Sequence, residues 1–320
     1  MPLTEKTLIA AIRRQARSGS SVVAGIGDDS AVLRVPRGHL ALLTTDFSLE
    51  GIHFRRRWHP PESVGHRCLT RGLSDIASMG GTPIAAFLSL ALPRGLSPDW
   101  VAGFMHGLLK LAARFKVTLA GGDTAESSAG ILADIVVLGS VPRGKAVLRS
   151  SARPGDRICV SGELGASSAT LHCMMAQPRR RLNPREYSCH FFPQPRLALG
   201  RYLREHNLAS SMIDLSDGLS TDLAHICEES GVGAEVHTAQ IPLASFGRPP
   251  RKVSLEQALD GGEDYELLFT VPPGRKVPGR IAASPITPIG QITRGKRVVL
   301  TDPTGKGREL SPQGWEHFRK

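Results

Sequence analysis

The sequence predicts a mixed α/β protein of two domains. Strand-like and helix-like segments alternate along its 320 residues, an order typical of layered α/β folds. With 41% hydrophobic residues, a chain of this length can form two cores. The turn-rich segment SARPGD at 151–156 interrupts the pattern and predicts a boundary between domains 1–150 and 151–320.

The first half is expected to begin with a helix at about 4–17, whose inward face holds Leu8, Ile9, Ile12 and Ala16. Further helices are predicted at 61–79, where Gly80-Gly81 ends the helix, and at 98–114. The predicted strands are 39–45, which ends at Asp46, and then 84–90, 117–120 and 131–141.

The second half repeats the alternation. Helices are predicted at 166–175, 195–206, 219–230, 255–259 and near 312–318. Strands are predicted at 157–161, 211–213, 265–271, 287–292 and 297–300. A connection at 178–195, rich in Pro and Arg, is expected on the surface.

Composition excludes several classes of function. The net charge is +11, but the basic residues are scattered, without the aromatic-interleaved stripe of a single-strand binder, so we expect no nucleic-acid partner. Five cysteines without a CxxC pair indicate a reducing compartment. The N-terminus lacks an apolar signal core, and apolar runs fall short of the roughly 20 residues of a membrane span. We therefore expect a cytoplasmic protein without a membrane partner.

The acidic residues are the most informative feature. They recur in short stretches rich in Gly, Ser or Thr: GIGDDSAVL, TTDF, LSDIASMGG, AGGDTAES, IDLSDGLSTDL and GGEDYELLF. Apolar neighbours predict that most of these acids lie at strand ends or helix entrances. Clustered carboxylates repel one another unless a cation lies between them, and Asp, Ser and Thr oxygens suit Mg²⁺. Since nearby glycines let backbone N–H groups approach phosphate oxygens, the set predicts a metal–nucleotide site.

Each stretch alone also has a purely structural reading, as a turn, a helix cap or a surface acid depending on the stretch, and only their joint presence favours the site. The sequence lacks the motifs of other nucleotide-binding and hydrolytic sites. It contains no GxxxxGK[ST] loop, no protein-kinase motif set, no HExxH pair and no GxSxG.

Taken in order and spacing, the stretches GIGDDSAV, TTDFSLEGIHF, LSDIASMGGTP, GGDT, VLRSSARPGD, DLSDGLSTDL and GGEDYELLF closely resemble the thiamine-monophosphate kinase family. That family belongs to the ATP-using superfamily typified by aminoimidazole ribonucleotide synthetase. The resemblance runs from about Gly25 to the C-terminus. It implies a PurM-like architecture, in which an N-terminal mixed-sheet domain joins a partner's strands in a dimeric barrel and a C-terminal α+β domain closes the cleft.

The resemblance also implies a reaction: ATP and thiamine monophosphate give ADP and thiamine diphosphate in a homodimer, with several Mg²⁺ ions. It leaves open whether a monovalent cation is needed. The implied magnesium ligands are Asp29, Thr44, Thr45, Asp46, Asp75, Asp123, Asp214 and Asp217. The implied contacts to ATP or its metals are Gly122, Asp123, Arg149 and Ser216. The implied contacts to the thiamine part are His53, Glu263 and Trp315.

No acid–base residue stands out, so the mechanistic hypothesis is direct in-line transfer of the γ-phosphoryl group, assisted by metal ions. Two departures from the family pattern bear on acceptor choice. Phe47 follows Asp46 where a small or polar residue is common, and Arg55–Arg57 with Trp58 follow His53.

Three alternatives remain open from the sequence. One is another reaction of the same superfamily: selenophosphate synthesis, purine-ring closure or hydrogenase maturation. The second is a basic nucleic-acid-binding protein with structural metals. The third is a degenerate relative that binds its ligands without turning them over.

Overall fold

The computed structural model describes residues 5–16, 19–315 and 318. It divides into two units, of which the first comprises Met1–Ile76 and Gly81–Gly144 and the second comprises Ala77–Gly80 and Lys145–Lys320. Both units contain helices and sheets. The prediction of a mixed α/β protein with two domains is therefore confirmed. In the described residues, no helix combines the length and the apolar content needed to cross a bilayer.

The first unit contains a four-stranded mixed sheet. Its elements in chain order are α1 (Glu5–Gln15), β1 (Val22–Ala24), β2 (Val32–Leu33), β3 (His39–Leu49), α2 (Pro61–Ser78), β4 (Thr82–Pro93), α3 (Pro98–Phe115), β5 (Thr118–Ser127) and β6 (Leu132–Pro142). The strand order is β3-β6-β4-β5, and within it only the β4–β5 pair is parallel. Strands β1 and β2 form a separate antiparallel pair.

The two faces of this sheet differ in burial. Ala133, Ile135 and Val137 of β6 are fully buried, whereas Asp134 and Val136 between them are only half-buried. Successive side chains of a strand point to opposite faces, so one face is covered and the other is more accessible. Helix α2 packs on the covered face, since a Cβ atom on Gly72 would meet the side chain of Val137 at 2.6 Å. We call the opposite face the open face.

The second unit is built on an eight-stranded sheet. Its elements are β7 (Arg157–Ser161), α4 (Ala166–Ala176), α5 (Ser188–Phe191), α6 (Leu197–Glu205), β8 (Ser211–Asp214), α7 (Leu219–Ser230), β9 (Gly233–His237), β10 (Ser245–Phe246), β11 (Arg251–Lys252), α8 (Leu255–Asp260), β12 (Leu267–Val271), β13 (Arg280–Ile281), β14 (Ser284–Thr293), β15 (Val298–Thr301) and β16 (Gly307–Glu309). The strand order is β16-β15-β9-β14-β7-β12-β8, and β13 pairs with β14. Aliphatic side chains from this sheet and from α4, α7 and α8 form one core.

Two predicted strand ends are wrong. Strand β3 continues past Asp46 to Leu49, and β5 runs through the whole of 121–124 to Ser127. Both are edge strands of the sheet, where one row of backbone groups has no neighbouring strand, and polar side chains are tolerated along such a strand. Asp46 and Asp123 therefore lie within strands rather than after them.

Three further segments differ from their predictions. In the connection 178–195 the sequence predicted only surface chain, but it contains α5 and the buried side chains of Leu182, Tyr187, His190 and Phe191. The helix predicted near 312–318 is not formed at 312–315, and residues 316 and 317 lie outside the described residues. Ile9 was expected to face inward but is 39% exposed, whereas its neighbour Leu8 is buried.

Candidate functional site

A polar stripe joins β3 to α2 on the covered face of the first sheet. It consists of Thr44, Asp46 and Ser48 of the strand together with Cys68, Arg71 and Asp75 of the helix. Alternate residues of a strand lie on one face of its sheet, and residues three, four or seven apart lie on one face of a helix. The polar residues of β3 and of α2 follow these spacings, so each set lies on one face of its element. The hydroxyl of Thr44 donates a hydrogen bond to the carboxylate of Asp75.

The charges of this stripe are close together. Burial raises the pKa of the Cys68 thiol to about 12, against the lowering effect of a hydrogen bond with Ser48 and of the Arg71 charge. The carboxylate of Asp46 is near enough to raise this pKa further. Asp46 and Asp75, both predicted metal ligands, thus belong to one stripe, together with Arg71, whose positive charge acts on the same thiol as the carboxylate of Asp46 does.

The open face carries a second acidic row, of which the sequence predicted only Asp123 as a site residue. Asp134 of β6 lies opposite Phe47 of β3 and opposite Ser89 of β4, which in turn pairs with Asp123 of β5. Residues directly opposite on neighbouring strands share a face, so Asp134 and Asp123 lie on the same face two strands, or about 10 Å, apart. The hydroxyl of Thr45 donates to Asp134 at 2.7 Å.

The predicted ligands Thr44, Thr45 and Asp46 are therefore divided between two faces. Thr44 and Asp46 belong to the β3–α2 stripe, whereas the side chain of Thr45 belongs to the open face. Asp134 could have been found as the one acidic residue inside the otherwise apolar run at 131–141.

Gly122 permits the close pairing of β4 with β5. Its φ angle is +150°, and a Cβ atom there would lie 1.9 Å from the carbonyl oxygen of Leu88. The next residue, Asp123, is exposed, and its Oδ1 atom accepts a hydrogen bond from the backbone N–H of Thr124 at 2.8 Å. The strand pairing thus explains why a glycine occupies this position, apart from any contact with a nucleotide.

Asp29 lies in the exposed loop between β1 and β2. Its backbone N–H donates to Oδ1 of Asp28 at 3.3 Å. Asp29 thus lies in a loop, outside the four-stranded sheet that carries Asp46, Asp123 and Asp134.

His53 lies in the turn after β3. Its Nδ1 atom accepts a hydrogen bond from the backbone N–H of Leu49 at 3.0 Å, which places the ring proton of the neutral form on Nε2. The basic run that follows packs against an aromatic ring. The guanidinium groups of Arg55 and Arg57 lie 4.9 and 4.8 Å from the ring centre of buried Trp58.

In the second unit, the loop before α7 folds around one carboxylate. Oδ2 of Asp222 accepts hydrogen bonds from the backbone N–H groups of Ser216, Asp217 and Gly218 at 3.1, 3.2 and 3.1 Å. Burial raises the pKa of Asp222 well above its usual range, and the carboxylates of Asp214 and Asp217 raise it further. Asp214 is itself 3% exposed, so three acidic residues crowd the start of this helix.

Two distant segments are hydrogen-bonded to the same loop. The backbone N–H of Glu263 donates to the carbonyl oxygen of Ser216 at 2.8 Å, and that of Trp315 donates to the carbonyl oxygen of Asp217 at 3.1 Å. The approach of the second segment requires a glycine, because a Cβ atom on Gly314 would lie 2.0 Å from the Asp217 oxygen. The structure therefore brings together four predicted site residues: Ser216, Asp217, Glu263 and Trp315.

Asp264 has a different role from its neighbour Glu263. Its carboxylate is half-buried and accepts hydrogen bonds from the backbone N–H groups of Gly165 at 2.7 Å and Ser167 at 3.5 Å, at the start of α4. Burial raises the pKa of Asp264 to about 7, against the lowering effect of these two donors. Asp264 thus caps a helix, whereas the sequence had suggested only a turn at this position.

Arg149 does not join the group at the start of α7. Its carbonyl oxygen accepts a hydrogen bond from Ser230, which is the last residue of that helix. A 12-residue helix is about 18 Å long, so the backbone of Arg149 lies at the opposite end of α7 from Asp217.

Within the described residues, no three His, Cys, Asp or Glu side chains form a ready-made metal centre. The first unit offers the pair Asp46 and Asp75 and the row with Asp134 and Asp123, and the second offers Asp214 and Asp217. Every side-chain donor among these residues is a carboxylate oxygen.

Family models match both units. The N-terminal domain of AIR synthase related proteins matches residues 27–141, and the C-terminal domain of the same group matches residues 153–303. The predicted PurM-like fold of two mixed α/β domains is thereby confirmed.

The curated relatives narrow this assignment. The thiamine-monophosphate kinase of Bacillus subtilis is 33% identical over 99% of this chain and 100% of its own length. The corresponding protein of Escherichia coli K12 is 36% identical over 99% of both chains.

The chain belongs to the thiamine-monophosphate kinase family. It is therefore an enzyme of the kinase class. A solved structure described as AaThiL complexed with AMPPCP and TMP is similar as well, with a TM-score of 0.78, 33% identity and 99% of both chains covered. The family resemblance inferred from the motifs is confirmed over nearly the whole chain.

Proposed function

We propose that this enzyme transfers the γ-phosphoryl group of ATP to thiamine monophosphate, giving thiamine diphosphate and ADP. The family and the AaThiL complex with an ATP analogue and TMP support this assignment of donor and acceptor. In the proposal, residues 1–150 hold ATP and metal ions, and residues 151–320 close over the substrates.

One observation carries the proposal. Main-chain hydrogen bonds gather Ser216 and Asp217, the expected ATP and metal residues, with Glu263 and Trp315, the expected acceptor residues. A carboxylate and an indole ring suit the cationic thiazolium of thiamine, since the first supplies opposite charge and the second a π-face. The same loop presents oxygen donors for a phosphate-bound cation. We assign His53 of the first unit to the thiamine part as well.

The residues present fit magnesium. The carboxylates of Asp214 and Asp217 crowd Asp222 and raise its pKa, which shows an excess of negative charge that a cation would relieve. Mg²⁺ takes few protein ligands and completes its shell with water and phosphate, so a three-residue cluster is not required. The residues proposed to hold it are Asp29, Thr44, Thr45, Asp46, Asp75, Asp123, Asp214 and Asp217. Bound magnesium would neutralise the charge of the phosphates and fix their positions.

The transfer is direct in this proposal. A phosphate oxygen of thiamine monophosphate, ionised near neutral pH, attacks the γ-phosphorus of ATP. The bond from that phosphorus to the β–γ bridging oxygen breaks, and ADP leaves with the electron pair. The protein positions the two substrates, and Gly122, Asp123, Arg149 and Ser216 are assigned to the nucleotide side.

The active form is proposed to be a homodimer. The open face of the first sheet exposes Leu43 by 71% and Phe47 by 54%, although both lie in the middle of a long strand. Exposed apolar side chains on a sheet face suit a second copy of the same face. Phe47, one of the departures from the family pattern, belongs to this surface.

The proposed compartment is the cytoplasm. All five cysteines are free, and Cys68, Cys159 and Cys227 are buried as thiols. Free thiols are favoured where the environment is reducing.

A coupled assay tests the proposed function. Purified protein is incubated with ATP, Mg²⁺ and thiamine monophosphate, and both ADP and thiamine diphosphate are quantified. The proposal predicts equal amounts of the two products and no product from free thiamine, which lacks the attacking phosphate. Product from free thiamine, or ADP without thiamine diphosphate, would contradict it.

A further inference from the structure

The segment 263–265 adopts an unusual backbone conformation. Glu263 and Tyr265 have φ angles of +65° and +52°, in the left-handed region that non-glycine residues rarely occupy. Such residues are strained and persist only where the surroundings hold them in place. The contacts that hold this turn therefore determine where Glu263 lies.

The turn is held on two sides. On one side, the backbone N–H groups of Glu263 and Tyr265 donate to the carbonyl oxygens of Ser216 and Leu215 at 2.8 and 2.9 Å. On the other side, the carboxylate of Asp264 accepts the N–H groups of Gly165 and Ser167. Helix α4 has no side-chain cap from Gly165, its own N-cap residue, so Asp264 supplies that cap from a distant part of the chain.

We propose that Asp264 is a positioning residue for the acceptor site: by tying the left-handed turn to the start of α4, it fixes the carboxylate of Glu263 for the thiazolium ring. This inference rests on the proposed function, because it takes thiamine monophosphate as the ligand of Glu263. Asp264 itself is half-buried and does not touch the substrate in this proposal.

The charge of Asp264 is set by its surroundings. Glu263 and Glu266 lie on its own segment, Glu163 precedes α4, Cys189 and His190 come from α5, and Arg196 precedes α6. Arg196 is ion-paired with Glu266, which also accepts a hydrogen bond from Ser161 at 2.5 Å. Burial and the neighbouring acids together keep the pKa of Asp264 at about 7.

The two N–H groups that Asp264 accepts are what tie the turn to the start of α4. Hydrogen bonds to a charged acceptor are stronger than those to a neutral one. Replacing the carboxylate with a neutral amide should therefore loosen this link and raise the KM for thiamine monophosphate, whereas the KM for ATP is unaffected by this group.

The test compares three proteins in the steady-state assay: wild type, Asp264→Asn and Asp156→Asn. Asp156 is a matched control, since it is 2% exposed and accepts a backbone N–H from Arg153 at 3.0 Å and a hydroxyl from Ser210 at 2.5 Å. Asp264→Asn should raise the KM for thiamine monophosphate about tenfold at pH 8, with little change in the KM for ATP. Asp156→Asn should change neither KM more than about twofold.

The two KM values separate positioning from a general loss of structure, because a positioning residue of the acceptor site changes the KM for thiamine monophosphate and leaves the KM for ATP unchanged. A folded Asp264→Asn enzyme with the wild-type KM for thiamine monophosphate, or with equal changes in both KM values, would overturn the proposal.

Two further outcomes are decisive. If Asp264→Asn does not fold, Asp264→Ser provides a neutral residue that still caps helices, and the same results are expected of it. If neither variant folds, Asp264 has only a structural role and the proposal is overturned. A wild-type protein without activity on thiamine monophosphate would refute the proposed function and this inference with it, whereas an active wild type with an unchanged Asp264→Asn variant would refute this inference alone.

Discussion

The backbone N–H of Trp315 donates a hydrogen bond to the carbonyl oxygen of Asp217 at 3.1 Å, although 97 residues separate the two along the chain. The two preceding residues add N–H donors to the same helix start: Gln313 to the hydroxyl of Ser220 at 3.3 Å and Gly314 to that of Thr221 at 3.1 Å. The C-terminal segment 313–315 is thus fastened to the loop that holds Ser216 and Asp217. This relationship places a proposed acceptor contact beside a proposed metal ligand.

Replacing Trp315 with alanine should weaken acceptor binding selectively. The indole is 54% exposed, so its loss should change the melting temperature little. Loss of the π-face should raise the KM for thiamine monophosphate about tenfold and leave the KM for ATP within about twofold. Trp315→Phe keeps an aromatic ring, and its KM for thiamine monophosphate should lie between those of wild type and Trp315→Ala. Equal effects on both KM values would contradict the assignment.

Gly314 offers a test of the segment without any change in its aromatic ring. A Cβ atom at this position would lie 2.0 Å from the Asp217 carbonyl oxygen, so Gly314→Ala must displace 313–315 from the loop. We expect the acceptor KM to rise by about as much as in Trp315→Ala, roughly tenfold. Gly279→Ala is the control, because no atom lies within 4 Å of its Cβ position. A wild-type KM in Gly314→Ala would show that this docking does not position Trp315.

Asp46→Asn and Asp123→Asn should each reduce kcat by at least about 100-fold, since charge stabilisation at such sites is worth several kcal/mol. Both variants should fold, because asparagine has nearly the same shape. Asp99→Asn, at an exposed position in the first turn of α3, is the matched control and should keep wild-type turnover. Circular dichroism checks that the variants fold, and steady-state kinetics measures their kcat. Near-normal rates in Asp46→Asn and Asp123→Asn would remove both residues from the metal set.

Leu43→Glu should convert the enzyme from a dimer to a monomer. The side chain is 71% exposed on the open face, so a charge there costs the isolated unit little but would be buried against a second copy. Light scattering coupled to gel filtration measures the mass directly. Leu171→Glu, on the partly exposed surface of α4, should leave the mass unchanged. A monomeric wild type, or a dimeric Leu43→Glu variant, would contradict the proposed interface.

Periodicity and turn residues predicted most elements of the fold. Helix α7 was predicted at 219–230 and is observed at Leu219–Ser230. Errors arose where a strand carries acids: β3 was ended at Asp46 and β5 at Ala120, before the GGDT stretch, because glycines and an acid normally mark the end of a buried strand. Both strands lie at sheet edges, and strand order depends on pairing between distant segments, which local sequence does not report.

Local sequence was equally insufficient to predict the arrangement of the candidate site. The motif GGEDYELLF indicated acidic residues with a function, but not that Glu263 sits at φ +65° while Asp264 caps α4. That division depends on Gly165 and Ser216, both distant in sequence. Asp134 escaped notice because it occurs singly, and its role as a partner of Thr45 follows only from the strand register.

Transfer of a labelled phosphoryl group tests the central claim most directly. ATP labelled in its γ-phosphate is mixed with the enzyme, Mg²⁺ and thiamine monophosphate in a single turnover, and labelled species are separated over time. The account predicts that the label passes from ATP to the terminal phosphate of thiamine diphosphate, without labelled protein at any time. Label released only as inorganic phosphate, or held covalently on the enzyme, would contradict it.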